Sequence, residues 1–245
     1  MVQPPVPAPQ APDDGTLRLL PLDRFAGSLG QKVYQTLRQA ILSLAYRPGE
    51  ILRKPEICAA LGVSRSPVSD AVARLAVEGL VDVVPQAGTF VARFSMDEIR
   101  EGTFLREAIE VAAAERVAKS ITDDQVLLLR RNLSVQAALL DGGDIPAFYE
   151  QDAALHEAIL SFTGFRRVAQ VSDTAWLHVN RARQLVLPVP GRVAATLEEH
   201  RSIVEALAAR DPAAARIAVQ RHLGQLLRFL EPLERDRPDL FSDAP

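Results

Sequence analysis

The sequence predicts a mainly α-helical chain in two parts, a winged helix-turn-helix followed by an all-helical antiparallel bundle. Three observations lead there. The run LGVSRSPVSDAVARLAVEGL at 61–80 contains a glycine turn, a serine at a helix start, and Val68, Val72 and Leu75 at helical spacing. Two short β-prone runs follow, Val81 to Val84 and Thr89 to Val91, around Pro85, Gln86, Ala87 and Gly88. From Ser95 to Leu230 every periodic run reads as helix, with cap signals and short connections between runs.

Taken in order, residues 1–24 are rich in Pro, Ala and Gln without periodicity and read as a mobile arm. Residues 25–94 form the winged part. Its first helix spans Gln31 to Leu44, with Val33, Leu37, Ile41 and Leu44 on one side, and its second spans Pro55 to Leu61. Gly62, Val63 and Ser64 make the turn. Ser64 is placed to cap the third helix with its side chain, and Pro67 is tolerated because first-turn N–H groups lack intrahelical partners. Gly79 ends that helix and the hairpin wing closes the module.

Residues 95–230 form the bundle. Ser95 with Glu98, and Thr122 with Gln125, have the capping-box spacing that opens a helix. Further helices run from Ile145 to about Phe162, from beyond Gly164 to about Leu187, from Val193 to Arg210, and from Pro212 to Leu230. Asp211 caps the last, with Pro212 at its first position. Residues 231–245 are read as a C-terminal tail.

A length of 245 residues suits two ordinary domains. The net charge of −3 does not by itself suggest a nucleic-acid binder, but it is unevenly spread. From 25 to 94, eight bases outnumber five acids for a net +3, leaving −6 elsewhere. That asymmetry is expected where one part meets phosphate, and its modest size calls for a dimer that doubles the contacts. One cysteine, Cys58, forms no internal disulfide and reads as a small buried packing residue. No run is apolar enough to span a membrane, and the N-terminus lacks a signal peptide's basic start and hydrophobic core, so the expected location is the cytoplasm.

Small or hydrogen-bonding residues opening the third helix are what a DNA major groove admits. Ser64, Arg65, Ser66, Ser69 and Arg74, with Gln86 and Gly88 of the wing, are therefore the candidate DNA contacts. The segments YRPGEIL, LGVSRSPV, RLAVEGLV and PQAGTFV together resemble the DNA-binding domain of GntR-family bacterial transcription regulators. Three positions depart from the family pattern: Ser69 stands where a basic residue is usual, Asp70 where Glu is usual, and Ala87 where Arg or Lys is common in the wing. The resemblance implies binding to double-stranded operator DNA.

In the bundle, Phe148, Asp152, Leu155 and Ile159 share one helical face, so Asp152 lies on a stripe that should be buried, with His156 one turn on. His200 and His222 stand eleven residues either side of Asp211, each about 16 Å from that turn at ~1.5 Å per residue. In antiparallel helices they come level. Asp152, His156, His200 and His222 can thus converge as three nitrogens and one carboxylate, a set suited to Zn²⁺ or another divalent transition metal. Taken singly, each histidine is more simply a packed side chain tied to a carbonyl or water. The common level and the i, i+4 pair favour the metal. His178 is offset from His156 by about 9 Å in an antiparallel pair and is read as a possible effector contact or simple structure.

The segments FYEQDAALHEAIL, EEHRSIVEALAARDP and AVQRHL resemble the helical FCD effector domain of the FadR-like branch of the same family. Leu155 replaces the family's usual Phe. The resemblance implies the same four metal ligands, and its R-x-x-x-E pattern is kept as Arg106 and Glu110, the Arg facing the ligand cavity. Arg106 is the first candidate effector contact. His178 and Arg181 follow, with Arg183 beside them; a solvated surface position is the default for both Arg181 and Arg183. The expected function is ligand-controlled operator binding by a homodimer, switched by a small carboxylate metabolite. Two alternatives stand beside it: a metal-dependent hydrolase, and a regulator whose metal is a structural staple.

Overall fold

Four helix starts among the described residues follow side chains that satisfy free N–H groups of a first turn: Ser28, Thr122, Asp144 and Asp211. The computed structural model describes residues 18–168, 176–186 and 189–242, which divide into two units, 18–96 with 234–242, and 97–233. In the first unit Ser28 and Gln31 form a reciprocal capping box that opens α1 (Leu29–Leu42). Next come α2 (Lys54–Leu61) and α3 (Arg65–Val77). Gly62 between them has φ 64°, a left-handed conformation glycine takes without Cβ strain. Ser64 occupies the N-cap of α3, but its side chain makes no cap hydrogen bond. Its carbonyl instead faces Cys58 Sγ at 3.6 Å. Cys58 is half-buried rather than buried.

Strands β1 (Val81–Val84) and β2 (Gly88–Val91) pair antiparallel, with Val81 opposite Val91 and Val84 opposite Gly88. Gln86 at the tip takes φ 61°. Val33, Leu37 and Ile41 of α1 and Val68, Val72 and Leu75 of α3 are buried and form the centre of this unit. Its edges differ from the sequence reading at both ends. Residues 18–24, assigned to the arm, pack onto the unit: Leu19 is buried, Thr36 Oγ1 donates to the Leu20 carbonyl at 2.7 Å, and Arg18 pairs with Glu50. The rest of the arm lies outside the described residues. At the far end, residues 237–242 are no loose tail. Phe94 and Phe241 form a parallel bridge, the Phe94 N–H donates to Leu240 O at 2.9 Å, and both Leu240 and Phe241 are buried.

The second unit is helical throughout its described residues: α4 (Met96–Ala118), α5 (Asp123–Asp141), α6 (Ile145–Phe162), α7 (Leu177–Val186), α8 (Arg192–Ala208), α9 (Pro212–Leu223) and α10 (Gln225–Asp236), which runs on past 233. The Thr122–Gln125 box opens α5, and Asp211 accepts from the Ala213 and Ala214 N–H groups to open α9. The helix expected from Pro212 to Leu230 is two, parted at Gly224, where a Cβ would come within 3.2 Å of the Gln220 carbonyl. Leu187, where the preceding helix was expected to end, lies outside the described residues. α5 packs on α6 and α8, and α8 on α9. The core between them includes Leu129, Phe148, Leu155, Leu197, Ile203, Leu207 and Val219. Among the described residues no helix is long and apolar enough to cross a membrane.

Candidate functional site

Helices α6, α8 and α9 bring four polar side chains into the apolar interior. Asp152 and His156 come from α6, His200 from α8 and His222 from α9, all four buried, each offering a ligand atom within 4.8 Å of the others. The imidazole centroids lie 5.3 Å (His156 to His200), 5.1 Å (His156 to His222) and 4.7 Å (His200 to His222) apart.

Each imidazole is oriented from behind through Nδ1. His156 Nδ1 lies 2.5 Å from Glu110 Oε2, His200 Nδ1 2.8 Å from Gln136 Oε1, and His222 Nδ1 2.8 Å from Glu199 Oε2. All three partners are oxygen acceptors, so hydrogen bonding assigns the ring proton to Nδ1 and leaves Nε2 with a lone pair. The Gln136 amide is itself fixed, because its Nε2 donates to Asn132 Oδ1 at 2.6 Å. His156 Nε2, His200 Nε2 and Asp152 Oδ1 are buried without a hydrogen-bond partner. His200 Nε2 does lie 3.2 Å from Asp152 Oδ1, within ion-pair range but misaligned for a hydrogen bond. Buried polar atoms left so are costly. Three imidazole nitrogens and a carboxylate oxygen, held from behind and unsatisfied in front, fit a divalent transition metal.

Arginines support the carboxylates. Arg106 Nε donates to Glu110 at 2.5 Å, Arg192 makes a two-pronged pair with Glu199 at 2.8 and 2.7 Å, and Arg183 pairs directly with Asp152. Burial alone would raise the Asp152 carboxyl, but Arg183 and His200 outweigh it and hold the group well below the usual carboxylate range. Arg106 and His156 do the same for Glu110. Burial pushes His222 well below its ordinary value, reinforced by His200 and His156. It lowers His200 too, with Asp152 partly opposing. Ionised carboxylates and neutral imidazoles are the forms that ligate metal.

A cavity of about 40 Å³ adjoins this cluster, lined by Arg106, Arg183, Arg192, Thr103, Thr196 and His222 among others. As it stands that is room for roughly three waters. Of the sequence-predicted effector contacts, Arg106 is on this wall and two are not. His178 pairs with Glu98 at 3.5 Å, away from the lining. Arg181 is wholly buried but does not line the cavity. The default of a solvated Arg181 and Arg183 is also overturned, since both are buried residues of α7. Sequence reasoning missed Arg192, Thr196 and Glu199. Their i, i+4, i+7 spacing puts three polar residues on one face of α8, a signal that was present.

In the winged unit Ser64, Arg65 and Ser66 are exposed at the start of α3, Ser69 is half-buried, and Gln86 and Gly88 stand at the wing tip. Arg74, in the last turn of α3, lays its guanidinium over the Tyr34 ring at 3.7 Å. It therefore holds α3 to α1 as well as being exposed.

Two protein-family models match: "Bacterial regulatory proteins, gntR family" over residues 29–91 and "FCD domain" over residues 101–225. The chain is similar to the HTH-type transcriptional repressor RspR of Escherichia coli (strain K12), 30% identical over 215 residues covering 88% of this chain and 94% of that protein. It also resembles an HTH-type transcriptional regulator from an unstable DNA locus of Streptomyces ambofaciens, 33% identical over 210 residues, 86% and 88% of the two chains. A solved structure described as a putative transcriptional regulator GntR from Rhodococcus sp. RHA1 superposes with TM-score 0.73 at 25% identity, covering 84% of this chain and 99% of that one. These matched families and relatives are regulators rather than enzymes.

Proposed function

This chain belongs to the GntR family of bacterial transcription regulators, in its FadR-like branch with an FCD domain, and we propose that it binds operator DNA as a homodimer and is switched by a small carboxylate metabolite in a metal-containing pocket. The metal is most simply Zn²⁺, held by Asp152, His156, His200 and His222. The observation that carries the reading is the shared wall: Arg106 and Arg192, which brace the carboxylates behind the imidazoles, and Arg183, which braces Asp152 itself, also line the cavity beside His222.

When bound, the cation supplies a Lewis-acidic position for one effector oxygen. Arg106 offers a second oxygen a charge-assisted hydrogen bond, and Thr103 and Thr196 lie on the same wall. An effector that engages Arg106 competes with Glu110 for it, and so acts on the orientation of His156. The effector favours whichever arrangement of the protein it binds better, and a dimer's two recognition helices must match half-sites about one helical turn apart. A regulator of this kind works beside the chromosome, in the cytoplasm.

Metal analysis of the purified protein beside His200→Ala and His222→Ala tests the centre. Near-stoichiometric metal in the parent and its loss in both variants is the expected result. A metal-free parent after supplementation with zinc rules the centre out. Effectors are then sought by fluorescence of Trp176, the one tryptophan in the chain, whose ring centroid lies 5.2 Å from the Arg106 guanidinium.

A further inference from the structure

Two of the helices that line the cavity beside the metal centre also carry the chain into the winged unit. Thr103 and Arg106 come from α4, whose first residue, Met96, ends the winged stretch, and Leu226 comes from α10, which passes out of the helical unit after Leu233. Three residues beyond Leu226, the Phe229 ring centroid lies 5.7 Å from the guanidinium of Arg192, itself a lining residue. The remaining lining residues belong to α7, α8 and α9, which stay within the helical unit. We propose that residues 237–242 are a strap through which occupation of this cavity acts on the winged unit, with α4 and α10 as two arms tied together at the Phe94–Phe241 bridge.

Main-chain bonds and packing make the tie. The Phe94 N–H donates to Leu240 O and the Ser242 N–H to Phe94 O, both at 2.9 Å. Phe94, Leu240 and Phe241 are buried, and the two rings lie 5.8 Å apart. Arg93 Nε donates to the Asp239 carbonyl at 3.1 Å, and its guanidinium lies against Gly49, where an added Cβ would come within 3.1 Å. The Gly49 N–H in turn donates to Val91 O, at the end of β2. The strap is therefore fastened at the foot of the wing. A terminal segment without such bonds would be expected to fray.

A unit joined by one chain passage can turn about it, whereas a unit joined by two that are tied together follows any change of one relative to the other. The paths are short: seven residues along α4 from Met96 to Thr103, about 10 Å, and ten along α10 from Leu226 to Asp236, about 15 Å. Pro232 takes one N–H out of the ladder of α10, so the last turn is held less by its own helix and more by the strap. An occupant that draws on Arg106 and displaces Leu226 acts on both arms of one tie, and packed helices answer such a push by discrete shifts.

This inference rests on the reading of the cavity as an effector pocket, and its test needs no effector, because coupling between two sites is reciprocal. A duplex selected from a random pool is titrated into full-length zinc-supplemented protein. The cavity is read by the emission of Trp176, whose ring centroid lies 5.2 Å from the Arg106 guanidinium, and by hydrogen exchange in residues 225–231. Gly-Gly inserted between Asp236 and Arg237 slackens one arm while leaving the strap free to dock, and a chain ended at Asp236 removes the strap. Gly-Gly inserted between Gly142 and Gly143, in the turn from α5 to α6, is the control. The parent and the control should bind the duplex with a shift in Trp176 emission and altered exchange in α10. The Asp236 insertion should bind within about threefold of the parent and lose more than half of both responses, as should the shortened chain. If the shortened chain fails to fold, the insertion decides. Undiminished responses in the insertion variant overturn the strap as an arm. A parent that binds the duplex with Trp176 and α10 unchanged overturns the coupling and leaves operator binding standing, and a parent that binds no duplex overturns the regulator reading and the strap with it.

Discussion

Glu199 takes two hydrogen bonds from Arg192 and one from His222. Replacing it with Gln keeps the shape but removes the charge that fixes the imidazole, and outer partners of metal-binding histidines are worth about 10–100-fold in affinity. Glu199→Gln should weaken zinc binding by that factor in competition with a chromophoric chelator; unchanged affinity would remove Glu199 from the centre. Protonation gives a second expectation. Burial holds His222 and His200 below the ordinary 6.5, so as pH falls the unfolded chain takes up protons that the folded chain refuses. For the metal-free protein the sign is therefore destabilising toward acid: no loss above about pH 7.5, then a loss growing by up to about 1.4 kcal/mol per histidine per pH unit below the ordinary value. Thermal melts of chelator-treated protein from about pH 7.5 to about pH 5.5 check it, and a flat profile contradicts it. The four side chains that meet in the core were legible as a group because helix rise converts spacing around Asp211 into level. Arg183 was not, since its carboxylate, Asp152, stands on another helix 31 residues away; Arg192 and Glu199 share α8, and their i, i+7 spacing was legible but unread. His178 was weighed by its level alone, and level does not say that its partner is Glu98 at 3.5 Å.

Helix boundaries show the same division between local and distant causes. The box at Thr122 and Gln125 and the Asp211 cap with Pro212 were readable because each acts within its own turn. Gly224 was not read as a break, because an isolated glycine is tolerated inside a helix at a cost of about 1 kcal/mol and the apolar pattern continues beyond it. On α3 the exposed leading residues, Ser64, Arg65 and Ser66, stand where the element would enter a groove. Arg65→Ala should weaken binding to a duplex selected from a random pool by about 1–3 kcal/mol. Fluorescence anisotropy at several salt concentrations distinguishes the contact: a slope shallower by about 1 marks a phosphate, an altered base preference marks a base edge. Full affinity in the variant would dismiss α3 as the reading element.

At the scale of the whole chain, the two units carry their stabilising resources separately: an apolar core in 18–96 and 234–242, and a core with a buried charge cluster in 97–233. If the proposed metal is bound, removing it should therefore act on one of them. At a thousandfold excess of free metal over Kd, binding stabilises by about 4 kcal/mol, so chelation should lower the melting of the helical unit by roughly 8–16 °C. Hydrogen exchange in α1 and α3 should stay as it was, and equal loss of protection in both units would mean that the metal supports the entire molecule. The winged unit was readable except at its two ends: residues 18–24 were read as arm, and the last piece went unread because Phe94 and Ser242 are 148 residues apart in sequence and no local pattern joins them. That join makes the helical unit an insertion within the fold it serves. Translation proceeds from the N-terminus, and segments fold as they become whole. Arg93 meets the Asp239 carbonyl, and Phe94 its bridge to Phe241, only after the inserted helices have been made. The winged unit is thus started before the helical one and finished after it, and a nascent copy with half its helices made does not yet have a complete winged unit.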